Sequence, residues 1–91
     1  MDYKDVLRGV ALAVIKQVLQ DSVAGTRAQR AHAFRWLHKA VWAERHHAEG
    51  KVLSEQEKYI LTIFDVAGYS PYYVVKHNRY WGRERKERAL R

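Results

Sequence analysis

The sequence predicts an all-α fold, a small four-helix domain, from three observations. Apolar residues recur at intervals of three and four along its long segments, an Asp, Thr or Ser stands where each segment begins, and no alternating run is flanked by hairpin turn residues. Ninety-one residues suffice for one modest core and no second one.

Asp2 caps a first helix from Tyr3 to about Gln20, and Asp5 adds negative charge to its first turn, where the helix dipole favours it. Val6, Leu7, Val10, Ala11, Val14, Ile15, Val18 and Leu19 form a broad apolar face. A face this wide suits either the core or a homodimer seam, and Gly9 on the same helix would permit a close helix contact. Asp21 to Gly25 is read as a loop. Thr26 caps a second helix from Arg27 to about His47, with Ala31, Phe34, Leu37, Val41 and either Trp36 or Ala40 turned inward. Arg27, Arg30, Arg35, Lys39 and Arg45 fall mainly outside. Trp36 reads as a core anchor, whereas Trp42 lies nearer the polar side and marks a candidate partner surface.

After a loop at Ala48–Lys51, Ser54 and Glu57 make a capping box for a third helix beginning at Glu55. Tyr59, Ile60, Ile63, Phe64 and Ala67 recur on one face until Gly68, which can take positive φ, stops it. Ser70 caps the next helix and Pro71 occupies its first position, where a missing N–H costs nothing. Helix, glycine turn and helix give a helix-turn-helix-like corner. Phe64 departs from that pattern, since a small residue is usual where the two helices approach. If Pro71 opens the second helix, Tyr72, Tyr73, Lys76 and Arg79 occupy its first turns, within reach of phosphates and base edges, with Arg83 further along.

The charge is uneven: residues 76–91 carry +5 and residues 1–75 only +2. Arg83, Arg85, Lys86 and Arg88 supply much of this excess, and a basic segment beside such a corner suits phosphate binding. The domain boundary is set at 1–82, followed by a basic C-terminal extension over 83–91. Glu84–Arg88 and Glu87–Arg91 are helix-supporting pairs, but few apolar residues remain there to bury. The end is therefore expected as a protruding helix or a disordered tail, dispensable for folding.

Other chemistries find no residues to carry them. The chain has no cysteine, which suits a reducing cytoplasm and excludes disulfides and thiolate metal sites. No signal peptide is visible, and the run Val6–Leu19 is too short and too charged to span a membrane. The five histidines show no zinc spacing, no nucleophile motif surrounds Ser22, Ser54 or Ser70, and the glycines form no phosphate-cradling loop. The expectation is no enzyme, no cofactor, no metal and no membrane.

The run Arg27–Leu37, together with Ile63–Val74, resembles small proteins encoded by tailed phages and prophages. In these an arginine- and alanine-rich helix ending in Trp-Leu precedes a helix, an Ala-Gly or Leu-Gly turn and a basic helix. This sequence departs by a longer intervening segment, Val41–Leu53. The resemblance implies a phage-type setting, the cytoplasm of the host and double-stranded DNA as partner, with no catalytic residues to carry over. Two readings follow. In the first, a small DNA-binding regulator uses Tyr72, Tyr73, Lys76, Arg79, Arg83, Arg85, Lys86 and Arg88. In the second, a protein-interaction module, such as an inhibitor or adaptor of an acidic host protein, docks through Tyr69, Tyr72, Tyr73, Tyr80, Trp81 and the same basic surface.

Gly68→Val should lower stability by about 1–3 kcal/mol, since a β-branched residue is strained at positive φ. An unchanged midpoint in thermal denaturation would place the turn elsewhere.

Overall fold

The computed structural model describes residues 2–91 and contains five helices and, among those residues, no strand. They are α1 (Tyr3–Ala24), α2 (Arg27–Ala48), α3 (Glu55–Ala67), α4 (Pro71–Lys76) and α5 (Arg83–Leu90). The caps explain their starts. Asp2 accepts from the Lys4 N–H, Thr26 and Gln29 cap each other reciprocally, and the expected Ser54–Glu57 box closes with two contacts of 3.1 Å. Gly68 ends α3 at φ 83°, with its N–H and that of Tyr69 both donating to the Phe64 carbonyl.

Helix α2 is the hub. All four other helices pack on it, α1 also packs on α3, and α4 on α5. Its buried residues are Ala33, Leu37, Ala40, Val41 and Ala43, and three alanines among five allow neighbours to approach from several sides. Around them lie Ala11 and Ile15 of α1, Ile60, Phe64 and Ala67 of α3, Val75 of α4, Trp81, and Ala89 of α5. Phe64, the residue at odds with a close corner, is almost fully buried and stacks on Trp36 at 5.6 Å between ring centroids. Of the inward positions expected on α2, Ala31 is exposed and Ala33 takes its place.

Two expectations are corrected, and one left open is narrowed. The first helix continues one turn beyond Gln20, to Ala24. Its apolar face is only half used: Ala11 and Ile15 are buried, while Val6, Leu7, Val10 and Val14 stay exposed. Last, the basic end neither protrudes nor trails. The chain leaves α4 at His77, buries Trp81, and folds α5 back onto α2 and α4. The Trp81 indole N–H donates to Ser22 Oγ (2.9 Å), which donates in turn to the Leu19 carbonyl (2.6 Å). Arg85 spreads over the Trp81 ring at 5.4 Å and donates to the Ser22 carbonyl (3.2 Å). Ala89 is fully buried. The apolar surface that α5 covers belongs to Trp81 and Phe34, so a count of α5's own apolar residues understates what its docking buries.

Trp81→Ala should therefore cost about 3–5 kcal/mol, the usual range for emptying a buried aromatic site. Truncation after Gly82 should lower the thermal midpoint and not leave it unchanged. Circular dichroism melts of the two variants check both statements.

Candidate nucleic-acid interface

Helix α4 is short but firmly anchored. Ser70 Oγ accepts from the Tyr73 N–H (3.1 Å), Pro71 is buried at the first position, and Glu44 of α2 accepts from the Tyr72 N–H (3.1 Å). A carboxylate thus already occupies the positive end of α4, so an approaching phosphate would be repelled there and would meet the helix flank instead. On that flank the rings of Tyr69, Tyr73 and His77 stack at i, i+4 spacing, with centroids 6.2 and 4.4 Å apart. Lys76 reaches over the Tyr72 ring at 5.7 Å. Beyond α4, the Asn78 side chain accepts from the Tyr80 N–H (2.9 Å), a tight turn that exposes Arg79 and leaves Tyr80 63% accessible while Trp81 points inward.

The eight residues singled out from the sequence separate into two groups. Tyr72, Tyr73, Lys76 and Arg79 come together as an exposed surface. Lys76 and Arg79 form no ion pair among the described residues. On α5 the cations have other work. Arg85 covers Trp81, Arg88 lies over Phe34 at 5.3 Å, and Arg83 is paired with Glu87 at 3.0 Å. Lys86 is half-buried. Trp81, expected in a docking surface, is a core residue.

A second cationic surface on α2 is missing from the sequence-derived site. His32, Arg35, Lys39, Trp42 and His46 follow one another at intervals of three and four along its outer face, and Trp42 remains 39% exposed. Phe34, His38, Trp42 and His46 form an i, i+4 ladder of rings with centroids 5.6–6.3 Å apart. The Trp42 indole donates to His38 Nε2 (2.9 Å), which leaves His38 Nδ1 to donate to the Ala89 carbonyl (2.8 Å); Arg45 stacks on Trp42 and donates to the Arg91 carbonyl. Beside this face Trp36, Trp42, His46, Ser54, Gln56 and Glu57 help line an open groove of about 560 Å³. The signal that could have found this surface is an absence: neither Ser22–Ala43 nor Val66–Arg83 contains a single Asp or Glu. No cluster of three or more metal-ligating side chains occurs among the described residues, and no described helix is long and apolar enough to cross a membrane.

Comparison with protein-family models, curated proteins and solved structures finds no match for the chain.

One carboxylate ties the groove to the fold. Glu57 accepts from the Ser54 N–H and from His46 Nδ1 (2.7 Å), and these contacts, the Ser54 one foremost, hold its carboxyl below the usual glutamate range. A depressed folded-state value stabilises above the unfolded value, about 4.3, and that contribution is lost as pH falls through the lower folded value. Glu57→Gln should accordingly show a weaker loss of stability on acidification below about pH 5 than the parent chain in denaturant titrations at stepped pH.

Proposed function

We propose that this chain binds nucleic acid, duplex DNA foremost, as a small regulator of phage type acting in the cytoplasm of a host cell. The observation that carries the reading is the placement of the two carboxylate-free runs. They supply α4 and α2 as far as Ala43, two helices that pack on each other, and within the runs Arg27, Arg30, Arg35, Lys39, Lys76 and Arg79 are exposed and enter no ion pair among the described residues, whereas Arg83 is paired with Glu87. Exposed cations interleaved with exposed Tyr72, Tyr73 and Trp42 match what phosphate neutralisation and ring stacking require. Within this reading the corner of α3, Gly68 and α4 works in a helix-turn-helix-like manner, with the difference that Glu44 closes the N-terminus of α4. Contact then falls to Tyr73, Lys76 and Arg79 on the flank and the turn that follows.

A second reading is favoured by one observation, the exposure of Tyr69, Tyr72, Tyr73 and Tyr80 around a single turn and helix. Such a tyrosine set also suits docking on an acidic protein.

Fluorescence anisotropy with labelled random duplex DNA over a salt series tests the proposal. Lys76→Ala and Arg79→Ala should each flatten the dependence of log K on log salt by about 0.9 if the side chain neutralises a phosphate. Either should instead reduce sequence discrimination by about 1–3 kcal/mol if it reads a base. Absence of any duplex binding at low salt would sink the proposal. Binding of an acidic protein partner that is lost on Tyr72→Ala, with Arg79→Ala tolerated, would put the second reading in its place.

A further inference from the structure

An exposed apolar stripe lies on α1. Every residue from Asp2 to Val10 is exposed. Tyr3 (74%), Val6, Leu7, Val10 (58%) and Val14 form a stripe lying to one side of the face that carries Ala11 and Ile15 into the core. A stripe of this kind needs an occupant, and its register identifies one.

We infer that the stripe is the seam of a two-fold antiparallel homodimer. Tyr3, Leu7, Val10 and Val14 are spaced four, three and four, the alternation of positions that lets two helices interlock side chains along a seam. A two-fold axis opposite the Arg8–Gly9 peptide sets Leu7 of each copy against Val10 of the other, and Tyr3 of each against Val14. The same four residues thus build four layers, the self-complementarity that an isologous contact demands. Val6 and Ala13, both exposed, widen the seam on one side.

The helix dipoles select the antiparallel arrangement. Asp5 and Lys16 lie on the far side of α1 from the stripe and take no part in the seam. Antiparallel pairing opposes the helix dipoles, whereas parallel pairing would align them. From Tyr3 to Val14 the stripe is about 17 Å long. A two-helix contact of that length falls short of the roughly 1,000 Å² that a stable interface buries. The neighbouring helix extends it: Tyr59 and Ile63 of α3 line a groove together with Val14 and Val18, and Tyr59 and Val66 are exposed. A seam of this limited length corresponds to a weak, concentration-dependent dimer.

This inference is independent of the nucleic-acid proposal and is tested without nucleic acid. Sedimentation equilibrium of the full chain should show a monomer–dimer equilibrium in the micromolar range, and Val10→Glu should weaken it more than about tenfold while helical content is unchanged. The chain has no cysteine, so register can be read directly. Under oxidation, a mixture of the Leu7→Cys and Val10→Cys variants should form the 7–10 cross-link in preference to 7–7 or 10–10. A wild-type chain that stays monomeric at several hundred micromolar would overturn the inference, as would a dimer indifferent to Val10→Glu. Preferential 7–7 cross-linking would overturn the antiparallel arrangement. A monomer that binds phosphatidylglycerol–phosphatidylcholine vesicles, and loses this on Val10→Glu, would overturn it in favour of a lipid surface.

Discussion

The burial of the Trp81 indole is the constraint on which the C-terminal half of the structure depends. An indole N–H taken out of water needs an acceptor, and Ser22 supplies it from the last turn of α1. That requirement is met only if α1 remains helical past Gln20, so a contact made 59 residues away along the chain bears on where the first helix ends. Phe34 stacks against one side of Trp81 at 5.3 Å, and Arg85 covers the ring while closing on the Ser22 carbonyl. The turn from His77 to Gly82 is what delivers the ring inward, and in doing so it holds Arg79 and Tyr80 outward.

The same arrangement divides the arginines. Arg45, Arg85 and Arg88 lie over Trp42, Trp81 and Phe34, where their planar guanidinium groups shield ring faces, and Arg45 and Arg85 also satisfy carbonyls. Their charge still contributes to the field around the molecule, but their side chains are not at liberty to follow a ligand. Arg35, Lys39, Lys76 and Arg79 are held by no such ring and form no ion pair among the described residues, apart from the ring of Tyr72 under Lys76 and the Gln56 carbonyl that accepts from Lys39. Net charge along the sequence places the basic centre at residues 76–91, whereas sorting the cations by what they touch moves much of it to α2 and α4. An arginine within reach of an exposed aromatic is as apt to be structural as to be functional.

The division explains what could be read from the sequence. Asp2, Thr26, Ser54, Ser70 and Gly68 act within four residues of themselves, so local chemistry located the helix starts and the left-handed stop at Gly68. Which part of the wide α1 face would stay uncovered was not legible, because periodicity reveals that a face is apolar without saying what covers it. The docking of α5 was not legible either. Its contacts join Ala89 to His38, Arg85 to Ser22 and Arg91 to Arg45 across 46 to 63 residues, and each is a side chain meeting a backbone carbonyl, which leaves no trace in hydrophobic pattern. At the candidate site, the α4 residues Tyr72, Tyr73 and Lys76, with Arg79 just beyond, were found because a capped corner drew attention to them. The α2 stripe was overlooked because exposed arginines on a long helix look like ordinary solvated surface until the missing carboxylates are counted.

Surfaces of unlike character therefore lie on different helices, an apolar one on α1 with the outer edge of α3, and two cationic, aromatic ones, one on α2 and one on α4. Their separation matters because a six-residue helix carrying two exposed cations at its end has little affinity to offer alone. Pairing through α1 would leave the cationic surfaces of both copies uncovered and relate those of one copy to those of the other by a two-fold axis. The second contact on a two-fold ligand would then be made at the effective concentration set by the first. Modest single-copy contacts become sufficient under that arrangement, and a weak seam has a further consequence. Assembly would follow protein concentration, so occupancy would rise more steeply than it does for a monomer with the same residues touching the ligand.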